Sequence, residues 1–158
     1  MAVYFVPFLL ISLMALHFNQ HQTRLRSGPH SSLSGYYILI SIFLTTIIGL
    51  RHEVGGDWQP YLRLMDMTNN ISLIQAVKIN DPAYMLLNWI GSNHFGGIYF
   101  VNTVCALILV YGLSCFCYKL PNKYLGLVCA YPYLLIVIGM GYTRQAAALG
   151  FVFLTILQ

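Results

Sequence analysis

Apolar residues fall into five runs, at 2–18, 36–50, 97–118, 124–140 and 144–158, with a long mixed segment, 51–96, between the second and third. The runs are rich in Leu, Ile, Val and Phe. They are too long for strands and lack the strict alternation of a barrel strand, so they predict helices. Each approaches the roughly 20 apolar residues that cross a bilayer. The first two are slightly short, which a thin bilayer or flanking residues can absorb. No Lys or Arg precedes the first run and no clear small-residue cleavage site follows it, which favours an uncleaved first span over a secretory signal. The last run is still apolar at Gln158. The pattern therefore predicts an all-α, polytopic transmembrane protein of about five spans, a single domain over 1–158 that reads as truncated.

The segment 51–96 is too long for a simple connector and too apolar for a free loop. Residues 57–67 place Trp58, Tyr61, Leu62 and Met65 on one face of a short helix. A second helix fits 70–78, with Ser72 and Gln75 at capping-box spacing. Asp81-Pro82 predicts the start of a third, Asp at the cap and Pro in the first turn, with Tyr84, Leu87 and Trp89–Ile90 as its apolar face. Short Trp- and Tyr-rich amphipathic helices lie in the membrane interface, where a lipid-linked substrate presents its head group.

Composition agrees with lipid as the main solvent. The chain is 58% hydrophobic and only 8% charged, against roughly 25% charged in soluble domains. Its mean hydropathy is +0.69. Charge position then orients it. The loops at 19–35 (Arg24, Arg26) and 119–123 (Lys119, Lys123) are basic without acid, whereas Glu53, Asp57, Asp66 and Asp81 all fall in 51–96. By the positive-inside rule the two basic loops are cytoplasmic, and the amino terminus and the 51–96 loop face outward. The net charge of +4 is explained by those loops and implies no nucleic-acid partner. Cys105, Cys115, Cys117 and Cys129 lie within the third and fourth runs and read as small apolar residues. Cys115-Phe116-Cys117 lacks metal-site spacing, and the five histidines show no zinc-protease pattern, so neither metal nor cofactor is expected.

Candidate chemistry concentrates at the head of the outer loop, Arg51-His52-Glu53-Val54-Gly55-Gly56-Asp57-Trp58-Gln59-Pro60-Tyr61. Arginine forks onto phosphate oxygens, paired glycines let backbone approach a ligand, a carboxylate can deprotonate a hydroxyl, and an aromatic face packs on a sugar. That set suits a sugar diphosphate. The same residues fit plainer roles: Asp57 as a helix cap, Gly55-Gly56 as a turn, Arg51 as an interfacial anchor, and Arg144 as a snorkelling one.

Arg51-x3-Gly55-x-Asp57-x3-Tyr61, placed directly after an early span, resembles the signature of the EpsG-type, Wzy-like polysaccharide polymerase family. Asp81-Pro82-Ala83-Tyr84-x-Leu86-Leu87 is similar to that family's acidic-Pro-small-aromatic-Leu-Leu element, with Asp where Glu is more usual. Tyr142-Thr143-Arg144-Gln145-Ala146-Ala147 is similar to its third element, an Arg opening a span rich in small residues. Trp58 stands where Tyr is common. The three elements occur in order and cover almost the whole chain, and family members are considerably longer. The resemblance implies a GT-C-like helical enzyme of the bacterial inner membrane that joins repeat units carried on polyprenyl diphosphate at the outer face, in O-antigen or exopolysaccharide assembly. Its partners would be that lipid-linked oligosaccharide, membrane lipids and other polysaccharide-assembly proteins.

On that reading Arg51 and Arg144 bind the diphosphate and stabilise charge on the leaving group, and Asp57 is the general base, with His52 and Glu53 the alternatives. Gly55, Gly56, Trp58, Tyr61, Asp81 and Tyr84 complete the substrate site. A transporter or flippase for the same lipid-linked sugar is the rival class, its arginines only binding; a non-enzymatic fragment is another.

Overall fold

The computed structural model describes the backbone of residues 2–24 and 35–158, and side chains at 4–17 and 35–158. The side chains of Arg24 and Arg26, on which the basic character of the 19–35 loop rests, lie outside the described residues. Every regular element among the described residues is helical.

The helices are α1 (Ala2–Arg24), α2 (Gly35–Gly49), α3 (Trp58–Thr68), α4 (Leu73–Val77), α5 (Pro82–His94), α6 (Ile98–Tyr118), α7 (Lys123–Ala130) and α8 (Thr143–Ile156). α7 runs on into a π-helical stretch, Tyr131–Gly139. Pro132 sits at the start of that stretch. Its missing N–H removes one helical hydrogen bond and its ring crowds the carbonyl four residues back, so the ladder widens there instead of continuing as α. α6 is the one described helix both long and apolar enough to cross a membrane. At about 1.5 Å per residue its 21 residues reach roughly 30 Å, the thickness of a bilayer core. Residues 4–17, α2, α7 with its π stretch, and α8 are shorter apolar helices.

α6 is the hub. α2 runs antiparallel along it, fixed by the Tyr37 hydroxyl donating to the Ser114 carbonyl at 3.0 Å and by a 2.9 Å contact between the Ser41 and Ser114 hydroxyls. α8 runs parallel on another side, its backbone brought close at Gly112 and Gly150. A Cβ at Gly112 would stand 3.0 Å from the Gly150 Cα and would strike the Gly150 carbonyl. α1 lies against α7, with the Tyr131 hydroxyl donating to the Tyr4 carbonyl at 2.8 Å and the Asn122 amide to the Ala15 carbonyl at 3.2 Å. Leu44, Ile48, Leu109, Leu113, Leu127 and Leu135 fill the seam between these helices. Hydroxyls on apolar faces are satisfied within their own helices, as where Ser41, Thr45 and Thr46 each donate to the carbonyl four residues back. Those three hydroxyls therefore do not call for water.

The pairings set two ends. The start of α2, the end of α6 and the start of α7 meet at one, where the Lys123 ammonium lies 4.9 Å from the Tyr118 ring and 5.1 Å from the Tyr37 ring. Arg51, the start of α6, the end of the π stretch and the start of α8 meet at the other. There α3, α4 and α5 form a cap over α6, with Trp58, Tyr61, Met65 and Tyr84 packed on Ile98, Val101 and Cys105. The Trp89 indole donates to the Ile71 carbonyl at 2.9 Å, and Thr68 and Ser92 join α3 to α5 at 3.2 Å.

The capping box at Ser72 and Gln75 forms as its spacing predicts. Two other caps do not. Asp57 and Asp81 hold the N-cap positions of α3 and α5, but neither side chain makes a cap hydrogen bond. The α5 face also differs: Tyr84, Met85, Asn88 and Gly91 are buried, while Leu87, Trp89 and Ile90 are only partly so. α5 must meet α3 and α6 at once, which turns it toward its small and amide residues.

Candidate functional site

The residues of the head motif diverge as soon as α2 ends. Arg51 turns inward and is only 6% exposed. Its Nη1 donates to the Gly139 carbonyl at 2.5 Å, and its Nη2 donates to Thr143 Oγ1 at 2.6 Å and Asn102 Oδ1 at 3.4 Å. Thr143 Oγ1 in turn donates to Asn102 Oδ1 at 3.2 Å. Gly139 ends the π stretch, so Arg51 sits on the negative end of a helix dipole. Among the described residues no carboxylate lies within ion-pair distance of it. Burial pulls its pKa below the ordinary arginine value, yet a guanidinium keeps its proton in proteins. The result is a buried positive charge held by dipoles alone, an arrangement costing several kcal/mol of desolvation.

Arg144, the next residue after Thr143, points the other way, out of the bundle. Its Nη1 meets Asp81 Oδ2 at 2.8 Å, with side chains 41% and 63% exposed respectively. At that exposure the pair itself contributes little stability. The guanidinium also lies 5.7 Å from the centre of the Tyr84 ring, and Tyr84 packs on Tyr61 with ring centres 5.7 Å apart. Burial raises the Tyr84 pKa well above the ordinary tyrosine value, so its hydroxyl stays protonated. Both tyrosines lie in the neighbourhood of Arg51. The tyrosine pair thus stands between an inward arginine and an outward one.

A third group flanks this core. The His52 ring stacks at 24° on Tyr99, its Nδ1 lying 2.7 Å from the Tyr99 hydroxyl, and it meets the Trp58 ring edge-on with centres 5.7 Å apart. Glu53 reaches within 3.9 Å of His52 and adopts a φ of 50°, a left-handed conformation uncommon for a residue with a side chain. Gly55 has a φ of 100° and lies so near the π-helical end that a Cβ would stand 2.6 Å from the Met140 carbonyl oxygen. Glycine is required there. Gly56, beside it, borders open space. With Val54, Val137, Met140 and Tyr142 these glycines line a surface cleft of about 230 Å³. Asp57 stands half-buried at the start of α3, outside ion-pair distance of both arginines.

The fold therefore brings three distant stretches together. Arg51 contacts Thr143 across 92 residues, Asp81 contacts Arg144 across 63, and Tyr61 packs on Tyr84. It does not place Asp57, Glu53 or His52 against the arginines. Sequence reasoning passed over Asn102, Thr143 and Tyr99. Asn102 carried a usable signal, an amide in an otherwise apolar span, where polar side chains are costly and commonly functional. Tyr99 carried none, being one aromatic among many.

Comparison with protein families matches residues 35–158, which is 124 of the 158 residues, to the EpsG family. The chain belongs to the EpsG family. No curated protein and no solved structure matches it. The EpsG match takes in α2 to α8 and all three of the stretches that meet at the cap, while α1 lies wholly before it. EpsG membership ties the chain to polysaccharide biosynthesis and to a membrane setting. The buried Arg51 and the cap above it are accordingly features of an EpsG protein's polar end.

Proposed function

We propose that the protein joins oligosaccharide repeat units carried on polyprenyl diphosphate, at the outer face of a bacterial inner membrane. The observation that carries this reading is the meeting of Arg51, Asp81 and Arg144 at one end of the bundle, around Tyr61 and Tyr84. All four acids lie in the segment that builds this end, and Lys119 and Lys123 lie at the other. By the positive-inside rule the cap then faces outward. The helix faces beyond the seam expose Leu9, Leu39, Ile42, Leu125, Phe151 and Val152, which fits α1, α2, α7 and α8 spanning lipid beside α6.

In the reaction a sugar hydroxyl of one lipid-linked unit attacks the anomeric carbon of another. The new glycosidic C–O bond forms as the bond from that carbon to the diphosphate breaks, and polyprenyl diphosphate leaves. Arg144 contacts the diphosphate directly, exchanging Asp81 for it, and Arg51 adds positive potential from beneath. Asp57 takes the proton of the attacking hydroxyl, and Trp58, Tyr61 and Tyr84 line the sugar site with Gly55 and Gly56.

Deleting the gene should abolish the long surface polysaccharide while single repeat units on polyprenyl diphosphate accumulate where an added glycosidase can reach them. Accumulation beyond that enzyme's reach, on the cytoplasmic side, would assign the protein to transport instead.

A further inference from the structure

Two buried donors on the Arg51–Asn102 pair have no acceptor among the described residues: Arg51 Nε and Asn102 Nδ2. Their side chains are already joined, Nη2 of one to Oδ1 of the other at 3.4 Å. The amide orientation follows from its neighbours, because Oδ1 receives both the guanidinium and the Thr143 hydroxyl. Turning the amide over would set N–H against N–H. Nδ2 must therefore point away from those donors, and Nε, on the same guanidinium edge as Nη2, also lacks a partner. A buried donor left unmatched keeps the full penalty of its lost hydration. Here two occur on joined side chains, next to a positive charge without a carboxylate. Asn102 is 2% exposed.

We propose that Arg51 and Asn102 together form a buried site for one anionic oxygen of a phosphate or diphosphate, reached from Arg144 when the cap formed by α3 and α5 shifts. The class of ligand rests on the function proposed above; the donors and the unpaired charge do not. Arg144, exposed and over the Tyr84 ring, is the capture group on the surface side. Thr143 ties the two together, since its hydroxyl holds Arg51 and its backbone carries Arg144. Asn102 is thus a binding residue, and Thr143 a positioning residue.

The test uses the 158-residue chain in nanodiscs of zwitterionic lipid, with inorganic pyrophosphate as the probe and thermal unfolding as the readout. Pyrophosphate should raise the midpoint of the native protein, since a ligand of the folded state stabilises it by mass action. Asn102→Leu should weaken apparent pyrophosphate affinity roughly ten- to a hundredfold, as expected for a lost hydrogen bond to a charged group. Asn102→Asp guards against a variant that simply fails to fold, because it gives Arg51 an internal counter-ion. It should raise the midpoint without ligand and remove the response to pyrophosphate. Arg144→Ala should slow or weaken capture. An undiminished pyrophosphate response in Asn102→Asp, lost only in Arg144→Ala, would overturn the proposal by placing anion binding on the surface. So would the absence of any response in the native chain. Neither outcome touches polymer formation, which is read separately from sugar chain length.

Discussion

Asp57→Asn is expected to reduce turnover by roughly 10²–10⁴-fold with little change in affinity for the lipid-linked substrate. The substitution keeps size and most hydrogen bonding, and it removes the proton acceptor. The structure makes this a clean experiment. Asp57 makes no side-chain bond to the first turn of α3, and Asn is as good a cap as Asp, so stability should not change. A fall in polymer yield can then be assigned to chemistry once yields are scaled to folded protein. Near-normal polymer from Asp57→Asn would move the base to Glu53 or His52, the two other candidates on the same loop. Glu53 would be the stronger of them, because its left-handed backbone at a φ of 50° is a strain that function can justify.

Gly150→Leu should cost about 3 kcal/mol or more, a large share of the roughly 5–15 kcal/mol that holds a domain folded. Its Cβ would run into the backbone carbonyl of Ile108 and stand 2.8 Å from the Ile108 Cγ2. Backbone cannot swing aside as a flexible side chain can, so α8 would have to leave α6. Small residues at such crossings are what lets two membrane helices approach closely. The effect would extend to the site. Thr143 and Arg144 open α8, and Thr143 is bonded to Arg51, so a displaced α8 breaks the junction of the three stretches. Gly56→Ala is the control, since nothing lies within 4 Å of a Cβ there. It should stay within about 0.5 kcal/mol of the native protein. Equal unfolding midpoints for the two variants would show that α6 and α8 do not pack as described.

Much of the architecture was legible from apolar periodicity. The run at 97–118 is α6 to within a residue, the capping box at Ser72 forms, and the three short helices of the outer loop fall where their patterns put them. These features depend on local chemistry, and local chemistry is written in sequence. What escaped depends on contacts across the chain. Asp81 carries every local mark of a cap, yet a guanidinium 63 residues away bonds its carboxylate. Arg51 at the end of an apolar run reads as an anchor facing water. It turns inward because the carbonyl of Gly139 and the hydroxyl of Thr143 offer it acceptors there. The run at 124–140 reads as one continuous helix; Pro132 at the start of its second part widens the ladder into a π-helical stretch, whose last carbonyl meets Arg51. At the site, residue types were legible and their grouping was not. The head motif separates into an inward arginine, a tyrosine pair and a His52–Trp58–Tyr99 cluster, because α3 folds back over α6 immediately after Gly56.

The most direct measurement is reconstitution. Purified protein in vesicles would be supplied with polyprenyl-diphosphate-linked oligosaccharide, following glycan length and free polyprenyl diphosphate together. Joining repeat units by displacement of the lipid carrier should give a ladder of lengthening glycans, with one polyprenyl diphosphate released for each linkage formed. Binding of the lipid-linked sugar, or its movement between leaflets, with neither a ladder nor released carrier would contradict the proposed reaction.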